Sequence, residues 1–206
     1  MEEAKKKKLF TTNFIVKVAT LSAFATVIMA LKFPLPVFPS FYKLEFSEVV
    51  VMIGGFALGP VAAVLTEAIK VLLNFMIDGT VTAGIGELSN FLMGCSLVVP
   101  ASLIYSKMRT RKGAMLSCAA GFVSLLVISA VLNYYLLIPA YASAFKLHID
   151  SIVEMGTKLN AGIIDLRTLI LFATVPFNAI KGACSVAITI LVYKSISRLL
   201  SLKTQA

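Results

Sequence analysis

Hydrophobic and polar positions alternate along this chain in long blocks rather than in short amphipathic periods. Apolar stretches at residues 14–31, 47–58, 61–77, 85–106, 114–139 and 168–193 predict six helices joined by mostly short turns, as one membrane domain spanning residues 1–206. The helical blocks of 18 residues or more have the length a bilayer core demands. The second block is short and is closed by Gly59-Pro60. The exit from the first, Phe33-Pro34-Leu35-Pro36-Val37-Phe38-Pro39, cannot be helical, because proline lacks the amide donor and restricts the residue before it. Residues 140–167 form a longer polar connection that predicts a short surface helix and holds the lone histidine, His148, in solvent.

Composition agrees with the pattern. The 206 residues are 59% hydrophobic and 14% charged, with a mean hydropathy of +0.93, which places the chain among integral membrane proteins of the all-α class. The basic N-terminus precedes an apolar stretch too long for a signal-peptide core, and no convincing cleavage site follows it.

The net charge of +9 is distributed in three clusters: Lys5, Lys6, Lys7 and Lys8; Lys107, Arg109, Arg111 and Lys112; and Lys194, Arg198 and Lys203. With six helices all three fall on one side, and the positive-inside bias then puts both termini in the cytoplasm. Nucleic acid is not the implied partner, since basic and aromatic residues do not interleave on one surface. Cys95, Cys118 and Cys184 lie inside apolar blocks without metal-ligand spacing, so they read as small buried hydrophobes and no metal site is expected.

Polar residues inside the apolar blocks carry the chemistry. Asn178 and Lys181 lie one turn apart in the sixth block, where an unpaired lysine costs about 2.5–3.5 kcal/mol on insertion scales. They imply a polar ligand, or a structural ion pair of Lys181 with Glu67 or Glu87. Glu87 and Asn90 share one face at the start of the fourth block, Asn133 lies near the outer end of the fifth, and residues 41–45 emerge at the same end. Carboxamides both donate and accept while lysine only donates, so the set suits a flat neutral heterocycle with alternating carbonyl and N–H edges. Phe38, Phe41, Tyr42, Tyr134 and Tyr135 offer stacking faces or interfacial anchors, and Leu44, Leu88 and Leu136 offer apolar wall.

Glu67 and Lys70 read as an intramembrane ion pair, with pairing of Lys70 to Glu87 as the alternative. The glycine-rich run of residues 79–86 lacks the Gly-Lys-Ser/Thr of a nucleotide loop, so its glycines suggest close backbone approach to a ligand. Ala19 and Ala23 repeat a small residue at the spacing that lets membrane helices pack closely. No clustered acid–base or nucleophile–base pair argues for an enzyme.

Taken together, Tyr42-Lys43-Leu44-Glu45-Phe46-Ser47-Glu48, Ile53-Gly54-Gly55-Phe56-Ala57-Leu58-Gly59-Pro60, residues 79–91 and Pro176-Phe177-Asn178 through Lys181-Gly182 resemble the substrate-binding S components of energy-coupling factor (ECF) vitamin transporters. The riboflavin-specific branch is the nearest in motif, with Glu45 standing where aspartate is more usual. The resemblance implies a six-helix S-component fold in the bacterial cytoplasmic membrane, among membrane lipid. It implies capture of riboflavin from outside, with no cofactor, and docking on an energising module of two ATPase subunits and a transmembrane coupling subunit. By position, Asn133, Asn178 and Lys181 would meet the polar edge of the flavin ring. Backbone and side chains near Tyr42, Lys43 and Leu44, and from Gly84 through Gly86 and Glu87 to Asn90, would close over ring or ribityl chain. Ala19 and Ala23 would meet the coupling subunit. An S component for another vitamin or for FMN, and a stand-alone secondary transporter, remain the alternatives.

Overall fold

The computed structural model describes residues 11–39 and 41–201, with side chains described as far as residue 193. Lys5, Lys6, Lys7, Lys8 and Lys203 lie outside the described residues, as do the side chains of Lys194 and Arg198. Helix α1 (Thr12–Ala30) starts where the Thr11 hydroxyl accepts the Phe14 N–H at 3.3 Å, satisfying one orphan donor of its first turn. It stops short of Phe33-Pro34, and the proline-rich exit folds back as a small antiparallel hairpin. Strand β1 (Phe33–Pro34) pairs with β2 (Lys43–Leu44), Phe33 opposite Leu44 and Pro34 opposite Lys43.

Helix α2 (Ser47–Leu58) is about 18 Å long, too short to cross a bilayer core by itself. Most of its residues are buried, so it sits inside the bundle. Gly59, at φ +97°, ends it, and Pro60 occupies the first turn of α3 (Pro60–Asp78), where its missing N–H costs nothing. Helix α4 runs Ile85–Lys107 and α5 runs Arg111–Leu132, capped by the Thr110 hydroxyl. Instead of ending near Pro139, the fifth apolar block continues through a π-helical turn, Asn133–Leu137, into α6 (Ile138–Ala144). The surface helix α7 (Ile149–Thr157) follows, with His148 exposed at its start. Helix α8 (Leu166–Leu169) opens on a reciprocal Asp165–Thr168 capping box, and a second π-helical turn, Ile170–Thr174, leads into α9 (Val175–Ser201).

Among the described residues, five helical segments are long and apolar enough to span a membrane, and α2 is a shorter apolar helix. Large apolar side chains such as Phe24, Val27, Leu72, Met76, Val123, Val127 and Leu191 face outward from them. A water-facing surface would not keep so continuous a belt, whereas lipid tails match it.

The two π turns have one cause. Each is followed two residues later by a proline, Pro139 or Pro176. A proline inside a helix removes the bond to the carbonyl four residues back, here Tyr135 or Phe172, and its ring crowds that carbonyl; the wider turn relieves both. The turns lie against each other in the bundle, beside the cavity described below.

Charge is buried at the centre. The Lys70 ammonium, fully enclosed, lies 2.8 Å from Glu67 on its own helix and 3.0 Å from Glu48 on α2. The expected Glu67–Lys70 pair therefore forms, and Glu48 joins it. The alternative partner, Glu87, is instead held by Thr80 and Thr82. Gly94 on α4 makes room for this cluster, since a Cβ there would overlap the Glu67 carboxylate.

Two outcomes follow for the purified chain in detergent. Lys70→Met leaves Glu48 and Glu67 without their shared cation, and should lower unfolding free energy by about 3–5 kcal/mol. Gly94→Ala, which overpacks the same place, should lower it by about 1–3 kcal/mol. Thermal unfolding without ligand measures both.

Candidate functional site

A cavity of about 700 Å³ opens at the end of the bundle that holds the hairpin, within the ~300–1,000 Å³ usual for small-molecule sites. Lys107, Arg109, Arg111 and Lys112 lie at the far end of α4 and the start of α5, away from it. Its floor is polar and buried: Asn133 at the start of the first π turn, Asn178 and Lys181 on α9, and Glu45 just before α2.

Both asparagines are oriented by their own helices. Asn133 Nδ2 donates to the Ser129 carbonyl at 2.8 Å, and Asn178 Nδ2 donates to the Thr174 carbonyl at 2.9 Å. With one amide hydrogen of each committed, the Oδ1 atoms remain as acceptors for a ligand. Lys181 Nζ lies 2.7 Å from Glu45 Oε1 and 3.9 Å from Glu48, so neither Glu67 nor Glu87 is its partner. Glu45 Oε2 also accepts the Ser47 N–H at 2.6 Å. Burial raises the affinity of Glu45 for a proton, but the Lys181 and Lys70 charges outweigh it and hold the carboxyl below the usual range. The floor thus offers two fixed amide oxygens and one ammonium locked against a carboxylate.

Aromatic rings form the wall. Tyr42 stacks on Phe177 with centroids 4.9 Å apart, and Phe41 lies 4.5 Å from Tyr42. The Tyr42 hydroxyl and the Thr174 hydroxyl are 2.6 Å apart, which ties the hairpin to the second π turn. Burial pushes the Tyr42 phenol up, so it stays protonated. Met93, Ile138, Ile152 and Tyr141 complete the apolar lining.

The mouth carries charge on two sides. On one, Lys32 pairs with Asp78 at 2.8 Å and donates to Asn74 Oδ1 at 2.9 Å, while Asn74 Nδ2 donates to Asp78. On the other, Glu87 accepts from the hydroxyls of Thr80 and Thr82 at 3.0 and 3.1 Å. Lys43, on β2, is exposed at the rim.

Of the residues singled out from sequence, Tyr42, Lys43, Gly86, Glu87, Asn90, Asn133, Asn178 and Lys181 all line this cavity. Leu44 does not: it is buried in the hairpin opposite Phe33, because alternation along β2 turns it away from Lys43. Leu88 and Leu136 face outward, and the apolar wall comes from other elements. Phe38 packs edge-on against Phe177, and Tyr135 is exposed. Sequence reasoning missed Glu45 as a floor residue and the Lys32–Asn74–Asp78 group at the mouth. The helical spacing of Asn74 and Asp78 was legible, but their pairing with Lys32 is tertiary. Ala19 and Ala23 are exposed on the outer face of α1, remote from the cavity lining.

The chain matches the family model described as the ECF transporter, substrate-specific component, over residues 13–193. It is 32% identical to the riboflavin transporter FmnP of Bacillus subtilis over 169 residues, 82% of this chain and 83% of the relative. It is 29% identical to the riboflavin transporter RibU of Staphylococcus aureus over 200 residues, 97% and 98% of the two chains. A solved S component of a bacterial ECF transporter superposes with a TM-score of 0.69 at 28% identity, covering 90% of this chain and 96% of that one. A helical bundle with a ligand-sized cavity at one end, matched in sequence along nearly all its length, belongs to the substrate-specific components of ECF transporters, which are transport subunits and not enzymes.

Proposed function

We propose that this chain captures riboflavin at the outer face of the bacterial cytoplasmic membrane and delivers it for ATP-driven uptake by a separate energising module. In this reading the short α2 counts as a sixth membrane helix, both termini are cytoplasmic, and the cavity opens outward. The basic residues at the far end of α4 and the start of α5 then face the cytoplasm, as positive-inside bias requires.

The observation that carries the substrate is the cavity floor. A flavin ring presents an imide N–H between two carbonyl oxygens on its polar edge. One asparagine amide oxygen accepts from that N–H, while the Lys181 ammonium and the second amide hydrogen of the other asparagine donate to the two carbonyl oxygens. Phe41, Tyr42, Phe177 and Tyr141 supply faces for the ring, and the mouth supplies hydroxyl partners for a polyol chain. The relatives called riboflavin transporters support the same substrate.

The energising module is proposed as two ATPase subunits and a transmembrane coupling subunit. Ala19 and Ala23, exposed at four-residue spacing on α1, suit close approach of a partner helix.

Fluorescence quenching titrations test the site. Asn178→Ala and Lys181→Ala should each weaken riboflavin binding by about 1–3 kcal/mol, the cost of an unmade buried hydrogen bond. Unchanged affinity in both folded variants would refute the assignment. Replacing Ala19 and Ala23 together by leucine should leave that affinity intact and reduce riboflavin uptake by cells expressing the whole transporter; undiminished uptake would place the coupling contact elsewhere.

A further inference from the structure

We infer that Glu87 is a specificity residue that turns the mouth of the cavity against phosphorylated flavin, so that the site takes the uncharged polyol. The inference rests on the riboflavin reading above and goes beyond it, because the floor that would recognise the ring cannot tell riboflavin from its 5′-phosphate.

The loop of residues 79–84 leading into α4 has the makings of an anion cradle. Gly79 and Gly84 adopt φ of +67° and +85°, Ala83 adopts +51°, and a helix N-terminus follows. Such a loop usually turns free amides toward a phosphate. Here the amides are already used. The Thr80 hydroxyl oxygen accepts the N–H groups of Thr82 and Gly84 at 3.1 and 3.0 Å. The Thr82 hydroxyl oxygen accepts the Gly86 N–H at 3.0 Å, and the Thr82 carbonyl accepts that of Ile85. The two hydroxyl protons then point to Glu87 Oε2. The chain's own carboxylate stands where a bound anion would stand, fixed by both threonines and favoured by the helix dipole.

Among the described residues, no cation forms an ion pair with Glu87. Lys32, also at the mouth, is committed to Asp78 and Asn74. Lys43 is exposed at the rim, where water screens it. With the ring's polar edge on the buried floor, the ribityl chain runs toward the mouth and brings its terminal group past Glu87. A hydroxyl there donates to the carboxylate. A phosphomonoester, carrying about −1.5 to −2 charges, is repelled by it.

The test compares riboflavin and riboflavin 5′-phosphate by fluorescence quenching on the purified full chain and on Glu87→Gln. The wild type should prefer riboflavin, and Glu87→Gln should narrow the ratio of the two affinities by about tenfold, the scale of one partly screened charge pair. A ratio unchanged or widened in a folded variant overturns the inference. The wild type gives a second, independent reading. Rising ionic strength should tighten the phosphate ester relative to riboflavin, because salt screens repulsion at an open mouth; a fixed or widening ratio overturns it. Failure of the wild type to bind either flavin would instead remove the riboflavin reading itself.

Discussion

Three carboxylates and two ammoniums packed inside an apolar bundle set the terms for the rest of this molecule. Glu48 and Glu67 converge on Lys70, and Lys181 stands between Glu45 and Glu48. Each of these charges would be costly alone in a low-dielectric interior, and each is tolerable only with its partner in place. The pairs therefore lock elements together: α2 to α3 through Lys70, and the base of the hairpin to α9 through Lys181. A short, almost wholly buried helix, α2, can then sit within a bundle whose five long apolar segments face lipid.

That same network connects the fold to the cavity. Lys181 belongs both to the central charge cluster and to the cavity floor, so the donor offered to a ligand is positioned by two carboxylates behind it. The asparagines beside it are positioned differently, each pinned by a carbonyl one turn earlier, next to a π turn that proline imposes. The aromatic wall completes the arrangement, with Tyr42 stacked on Phe177 and bonded to Thr174, so the hairpin and α9 approach the cavity as one unit. A floor whose polar groups are fixed before any ligand arrives loses little ordering entropy on binding.

Much of this was legible in the chain. The long apolar blocks marked the membrane helices because only a helix satisfies its own backbone in lipid. Asn133, Asn178, Lys181 and Glu87 stood out because polar groups within such blocks are expensive. What was hidden depends on tertiary contact. Nothing in the spacing of Glu45 and Lys181, far apart in sequence, announces their pairing, nor does anything local to Glu48 announce that it joins Lys70. Pro139 and Pro176 were visible, yet Pro139 read as a helix end, when the helix instead widens into a π turn and continues. That the Leu44 side chain turns into the hairpin while Lys43 faces the rim follows from a strand register that only the fold supplies.

The central claim is that the cavity is a flavin site. The most direct measurement is the visible absorption spectrum of the chain purified in detergent from cells without added ligand. The account predicts a flavin band that leaves with a small molecule on denaturation, identified as riboflavin by mass. A colourless protein that also fails to quench added riboflavin would contradict it.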